Sequence, residues 1–341
     1  MPAETRTPAE AATWLLDQLP QVIPLKACWP IRAVRHQIVH GGAEFSRPTV
    51  IDDHVRTAIG DLAGLAPLHN PAALECVDAA ARALPDVPQV AVFDTALYAA
   101  LPPRAFLYPV PYRWYADWGV RRYGFHGVSH GYGLRQASEM CHRDPGKLRV
   151  VTCHLGSGSS ATAFRDGRPV QTTMGFTPMD GLMMGTRPGA LDPGIILHLL
   201  KTRRLAVEQL DEVLEHQSGM LGVSGRSADY RTVEAAATDG HRWSKVILEM
   251  FADRVRSAIG GLAVTLGGID ALVFTGGVGE HSANLRAAVC EGLECLGVRI
   301  DPGRNQPCHP DADISVSTAA VRVLVVAARE EAEFARRWPG A

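Results

Sequence analysis

The sequence has no run approaching the roughly 18 apolar residues that a membrane-spanning helix needs, and its first twenty residues show no basic stretch leading into an apolar one. It also lacks a charge imbalance. Thirty-four basic residues against 36 acidic ones leave a formal charge of -2, so bulk electrostatics point neither to nucleic acid nor to an anionic membrane. The seven cysteines (Cys28, Cys76, Cys141, Cys153, Cys290, Cys295 and Cys308) are odd in number, scattered and never spaced as CxxC. That pattern supports neither a disulfide framework nor a cysteine zinc site and favours a reducing, cytoplasmic setting. No GxxxxGK[ST] loop occurs, nor a GxGxxG fingerprint with its acid ~20 residues on, and no internal repeat is visible.

What is abundant is punctuation: 33 glycines and 23 prolines, gathered between apolar runs. At 341 residues there is chain enough for two domains. Residues 9 to 19 have helical spacing that Pro20 is expected to end, and 31 to 39 reads as a strand running into HGG. Helices are expected at 54 to 63 and 71 to 84, and VPQVAVFD (87 to 94) as a buried strand delivering Asp94 at its carboxyl end. Prolines and aromatics from 101 to 115 argue against regular structure, with a helix from about 133 to 142 after the histidine- and glycine-rich 121 to 132. LRVVTCHL (148 to 155) is a strand emptying into GSGSSA, followed by a hairpin turning at Asp166 and Gly167. After the irregular 175 to 194 come helices at 194 to 203, 206 to 216 and through most of 233 to 266. Residues 269 to 282 then read as strand, glycine turn and helix, and a strand (321 to 328) and helix (329 to 338) close the chain. Strands that repeatedly end in glycine or polar turns are an α/β signature.

HLGSGSSA (154 to 161) and FTGGVGEHS (274 to 282) each follow a buried strand, where glycines let backbone N–H groups converge on an anion. Either loop alone reads equally as a tight turn; two together suggest a nucleotide's phosphates. Arg187, in a loop stiffened by glycine and proline, suits a phosphoryl group gaining charge in transfer, or is a surface arginine. His126 and His154 are candidate donors to the same charge, or structural histidines. Asp94 is placed to orient or deprotonate a small nucleophile. Glu330, at a helix start, either helps hold Mg²⁺ or complements the helix dipole. RSADYR (226 to 231) suits a ribose or base, or a surface ion pair. His36, His40 and His69 lack the acid and spacing of a metal set.

Taken in order, IVHGGAEF (38 to 45), LAPLHNP (65 to 71), VFDTA (92 to 96), YGFHGVSH (123 to 130), HLGSGSSA, MGFTPMDGLMMGTRPGALDP (174 to 193), SGMLGVSGRSADYR (218 to 231) and FTGGVGEHS closely resemble the acetate kinase family, from about residue 31 onward. The resemblance implies an α/β fold of the two-domain, actin-like ATPase (ribonuclease H-like) type with ATP in the interdomain cleft. The first domain would be 1–96 completed by 328–341, and the second 97–327. The implied reaction is reversible phosphoryl transfer from ATP to acetate, with Mg²⁺ as cofactor and a homodimer as the assembly. Asp94, His126 and Arg187 match the catalytic residues, and Glu330 the magnesium-associated glutamate. His154, Leu155, Gly156, Ser157 and Gly158, then Asp229, Tyr230 and Arg231, then Gly277, Val278, Gly279, Glu280 and His281 match the ATP-contacting stretches. Val39, Leu68, Phe125 and Pro178 match the pocket for the acetate methyl.

Three departures stand out. The family's opening Asn, serine cluster and lysine have no counterpart in MPAETRTPAEAATWLLDQLP, so the first domain is expected to be incomplete. If these 341 residues are the whole protein, the kinase is expected to be weak or silent and less stable, and if the start codon was placed too far downstream, the missing turn is expected in the coding sequence ahead of Met1. Gln37 stands where the family binds substrate with arginine, Arg35 being a partial substitute on the same strand face. Ser157 replaces the usual asparagine. A propionate or butyrate kinase, or a silent nucleotide-binding relative, are the alternative readings.

Overall fold

In the computed structural model, residues 7–22, 31–306 and 308–336 are described, and Cys28 lies outside them. The chain divides into two compact units, Met1–Ala99 with Glu331–Ala341, and Ala100–Glu330. No helix among the described residues is long and apolar enough to cross a membrane.

The first unit is built on β1 (Val34–Ile38), β2 (Thr49–Val50) and β3 (Gln89–Phe93), in the order β1-β3-β2. β1 and β3 run parallel, joined by helices Asp53–Asp61 and Asn70–Ala83. All five residues of QVAVF are buried, as a central strand requires. Ile38, Val55, Ile59, Val77 and Phe93 form the core, where the Phe45 and Phe93 rings stack with centroids 4.7 Å apart. Helix Pro8–Val22 packs on Asn70–Ala83. It runs two residues past Pro20, the expected stop, because one missing N–H in a last turn costs a single bond.

The second unit carries six strands, β4 (Val150–Leu155), β5 (Ser159–Arg165), β6 (Arg168–Thr172), β7 (Ala271–Thr275), β8 (Ala312–Asp313) and β9 (Arg322–Val325), in the order β6-β5-β4-β7-β9-β8. β4, β7 and β9 are parallel neighbours. Helix Arg242–Leu266 covers one face, burying Ile247, Phe251, Val255 and Ile259 against the strands. Helix Gly127–Cys141 covers the other. The β5–β6 hairpin turns on Asp166 (φ 55) and Gly167 (φ 72), the paired left-handed residues of a type I′ turn.

Three further segments differ from the sequence reading. Two short helices, Pro103–Phe106 and Tyr112–Trp118, occupy the stretch expected to be irregular, because its prolines sit at helix starts, where the absent N–H costs nothing. The helix expected from Gly133 begins at Gly127. Its Gly133 marks close approach to the sheet, since a Cβ there would lie 3.3 Å from Thr152 Cγ2. Likewise the expected glycine turn after β7 is a six-residue helix, Gly276–His281.

Candidate active site

In the first unit, the parallel register pairs Gln37 with Val92 and Ile38 with Phe93. Asp94, one step beyond β3, therefore returns to the sheet face that Val92 and Gln37 share. It is 2% exposed, and the Gln37 amide donates to both its oxygens at 3.1 and 3.2 Å. Arg35, two residues earlier on the strand, donates to the Phe334 carbonyl. The adjoining HGG turn is held by groups the sequence reading passed over. Asn70, fully buried, accepts from the His40 N–H and donates to the His40 and Ile59 carbonyls, and the Gly41 N–H donates to Thr95 Oγ1. Gly41 is a glycine because a Cβ would lie 2.6 Å from the Phe93 ring. Val39 is half-buried and Leu68 exposed in this unit.

In the second unit, β4, β7 and β9 end at Leu155, Thr275 and Val325, and the carboxyl ends of parallel strands are where open α/β sheets bind ligands. A cavity of about 840 Å³ lies there. Its walls include His126, His154, Gly156, Ser157 and Gly158 from the β4–β5 side, Asp229, Tyr230 and Arg231 from the start of helix Tyr230–Thr238, and Gly277, Val278 and His281 from helix Gly276–His281. Leu155 and Gly279 are buried behind it. Glu280 is turned to structural work, its Oε1 accepting the Ala328 N–H at 2.9 Å. Met220, Ala228, Glu234, Gly276, Ser282 and Ala328 also line the cavity, and no spacing rule singled them out.

The hairpin tip is where the charged groups meet. A Cβ on Gly158 would lie 3.0 Å from Arg187 Nη2 and 3.2 Å from His126 Nε2, so glycine there keeps the guanidinium and imidazole beside bare backbone. Arg187 is fixed from several directions. Its Nη1 donates to the Pro178 carbonyl at 2.7 Å, and its loop is tied by the Gly185 N–H to the Ser157 carbonyl and by the Ser218, Met220 and Leu221 N–H groups to the carbonyls of Thr186, Met184 and Gly185. Gly219 (φ +60) permits that docking, because a Cβ would lie 2.2 Å from the Met184 carbonyl oxygen. Burial lowers the Arg187 pKa and the Glu215 charge opposes it; an arginine starts so high that it remains a cation.

The His126 and His154 rings stack at 4.3 Å between centroids. Burial takes His154 down to a pKa of about 4, so it is neutral at pH 7, and its Nδ1 is hydrogen-bonded to Ser129 Oγ at 2.8 Å. His126 sits at φ 55 as the residue preceding helix Gly127–Cys141, with Nδ1 on Ser160 Oγ at 2.8 Å. Phe125 and Pro178 are buried in this unit. Asp229 caps helix Tyr230–Thr238 and pairs with Arg231 at 2.6 Å, which holds its carboxyl down at about 2; Tyr230 is packed against Phe251, and burial raises its phenol to about 12. Glu330 opens the last helix, half-buried. Among the described residues no group of three or more His, Cys, Asp or Glu could hold a metal. Mg²⁺ in kinases asks for less, one or two carboxylates besides phosphates and water, and a single Glu330 fits that demand.

Glycine loops at the carboxyl ends of a parallel sheet, with a fixed cation and paired imidazoles over a nucleotide-sized cavity, define an ATP-using phosphotransferase. The chain matches the acetokinase family over residues 2–336, and it belongs to that family. It is 50% identical to an acetate kinase from Cyanothece over 88% of this chain and 74% of that protein, and 48% identical to one from Nostoc over 90% and 76%. Among solved structures it is similar to Porphyromonas gingivalis acetate kinase (TM-score 0.88, 38% identity, 96% of this chain and 83% of that one) and to a Francisella tularensis propionate kinase (TM-score 0.90, 36% identity, 96% and 83%). The fold is that of the actin-like ATPases.

Proposed function

We propose that the protein catalyses reversible transfer of the γ-phosphoryl group of ATP to acetate, giving ADP and acetyl phosphate. The observation that carries this reading is the convergence of Arg187 and His126 on Gly158 at the edge of the nucleotide-sized cavity. An acetate oxygen attacks the γ-phosphorus, the bond to the β–γ bridging oxygen breaks, and the electron pair leaves with ADP. Such a transition state asks for alignment and charge neutralisation. Arg187 and the His126 N–H would face the equatorial oxygens. Acetate is already ionised at neutral pH, so Asp94 has no proton to remove from it; two carboxylates both accept, and Asp94 would act on the anion by donating a proton, the acid half of an acid–base role. Phosphates lie along Gly156–Gly158 and Gly277–His281, with the nucleoside toward Asp229–Arg231. Val39, Leu68, Phe125 and Pro178, by their match to the family's motifs, would be the apolar residues that receive the methyl group. Glu330 would hold Mg²⁺, which when bound to ATP neutralises β- and γ-phosphate charge.

Propionate is the second reading, supported by the resemblance to a propionate kinase, and one methylene is worth only ~1–3 kcal/mol. A cytoplasmic homodimer completes the proposal. The cysteines among the described residues are all free, as a reducing compartment would leave them, and two-fold pairing is the commonest assembly; light scattering on the purified protein reads the mass directly.

The test is turnover with ATP, Mg²⁺ and acetate, propionate or butyrate. Acyl phosphate trapped as the hydroxamate, with acetate used best and Asp94→Asn slower by about 100-fold, is the expected result. ATP turnover indifferent to every short carboxylate would overturn the reading.

A further inference from the structure

One serine hydroxyl stands between two histidines. Ser160 Oγ lies 2.8 Å from His126 Nδ1 and 2.7 Å from His130 Nε2, and His130 Nδ1 lies 2.6 Å from Thr152 Oγ1. His130, Ser160 and Thr152 are fully buried, out of reach of bulk solvent. Ser160 Oγ has no hydrogen-bond partner among the described residues besides these two rings, so to keep its own proton bonded it must donate to one ring, which leaves it accepting from the other and couples the protonation of the two histidines. Burial also keeps His130 neutral, with a single N–H.

The far end of the chain decides the direction. If protons run from Thr152 toward the site, Thr152 donates to His130 Nδ1, His130 Nε2–H to Ser160, and Ser160 to His126 Nδ1, and every proton is in a bond of 2.8 Å or less. In the reverse direction the buried Thr152 proton is left with the Thr162 carbonyl at 3.5 Å, at the limit of a hydrogen bond.

We propose that His130 is a positioning residue that, through Ser160, fixes His126 as the neutral tautomer with its proton on Nε2, the nitrogen beside Gly158 and Arg187. An N–H donor is thereby presented to the phosphoryl oxygens without a second positive charge next to the guanidinium. His130 touches no substrate in this scheme; it acts through another side chain. The inference rests on the role proposed for His126, but its test does not.

Nitrogen-15 NMR of the resting, histidine-labelled protein reads the tautomer without any substrate. The expected spectrum gives His126 Nε2 as N–H and Nδ1 as a hydrogen-bonded lone pair. Ser160→Ala and His130→Leu are expected to lose that single tautomer and to lower kcat about tenfold with both KM values unchanged. His130→Gln, whose amide can still donate to Ser160, restores tautomer and rate. A wild-type His126 protonated on Nδ1, or a tautomer indifferent to both Ser160→Ala and His130→Leu, would overturn the relay. Absence of acetate-dependent turnover in the wild type would sink the proposed function and leave the spectrum to decide the relay alone.

Discussion

The two units hold their reactive groups in opposite ways. In the first, Asp94 is a buried carboxylate whose two oxygens both accept from the Gln37 side-chain amide, which the parallel β1–β3 register brings to its side. In the second, Arg187 hangs on a mesh of backbone bonds that ties its loop to the β4–β5 hairpin and to helix Gly219–Ser224. The difference teaches how each site would fail. A side-chain contact is lost when that side chain is replaced, whereas a mesh of backbone bonds survives side-chain replacement but not a new atom in the wrong place.

The largest expected effect lies on the charge itself. Arg187→Ala should cut kcat by about 1,000-fold or more, and Arg187→Lys should recover little, since an ammonium cannot reproduce the guanidinium fork; initial-rate kinetics on the folded variants check both. The mesh is tested by Gly219→Ala. A left-handed φ together with a Cβ 2.2 Å from the Met184 carbonyl should cost about 2–4 kcal/mol, seen in urea unfolding, with turnover falling as well. If Gly219→Ala is neutral, the contrast between backbone mesh and side-chain contact breaks. Gln37→Ala removes the amide from a buried carboxylate and should cost about 1–2 kcal/mol, with kcat/KM for acetate the most sensitive readout.

A last expected effect is on pH, where a single substitution changes a slope rather than a rate. His154 has a folded pKa of about 4, below the ordinary 6.5 of the unfolded chain. Its contribution to stability is therefore complete above pH 6.5 and drains away as pH falls toward 4, because the unfolded chain takes up the proton first. Unfolding midpoints measured from pH 4 to 7 should rise with pH, and His154→Gln should flatten that slope.

Much of this was legible in the residues. The alternating and continuous apolar runs gave β3, β4 and β7, and the Asp-Gly pair gave the hairpin at 166 and 167. Asp94 followed from a buried strand ending in an acid, and Arg187 from a cation in a stiff loop. The misreadings share a cause. Glycine and proline signal a break in the chain, yet Pro103 opens a helix, Gly133 lets one approach Thr152, and Gly276 seats another against the Leu155 carbonyl. The supports were invisible for a different reason. Asn70, Ser129, His130 and Ser160 are ordinary polar residues until the fold brings distant partners to them.

By itself the sequence determined which chemical groups this protein possesses and the strand ends and loops that carry them, because periodicity and turn chemistry are local properties. Tertiary structure alone decided which groups share a hydrogen bond. Gln37 meets Asp94 across 57 positions of sequence, and Ser160 meets His126 across 34. A histidine's donor, an aspartate's orientation and a guanidinium's aim depend on neighbours that only the packed chain supplies.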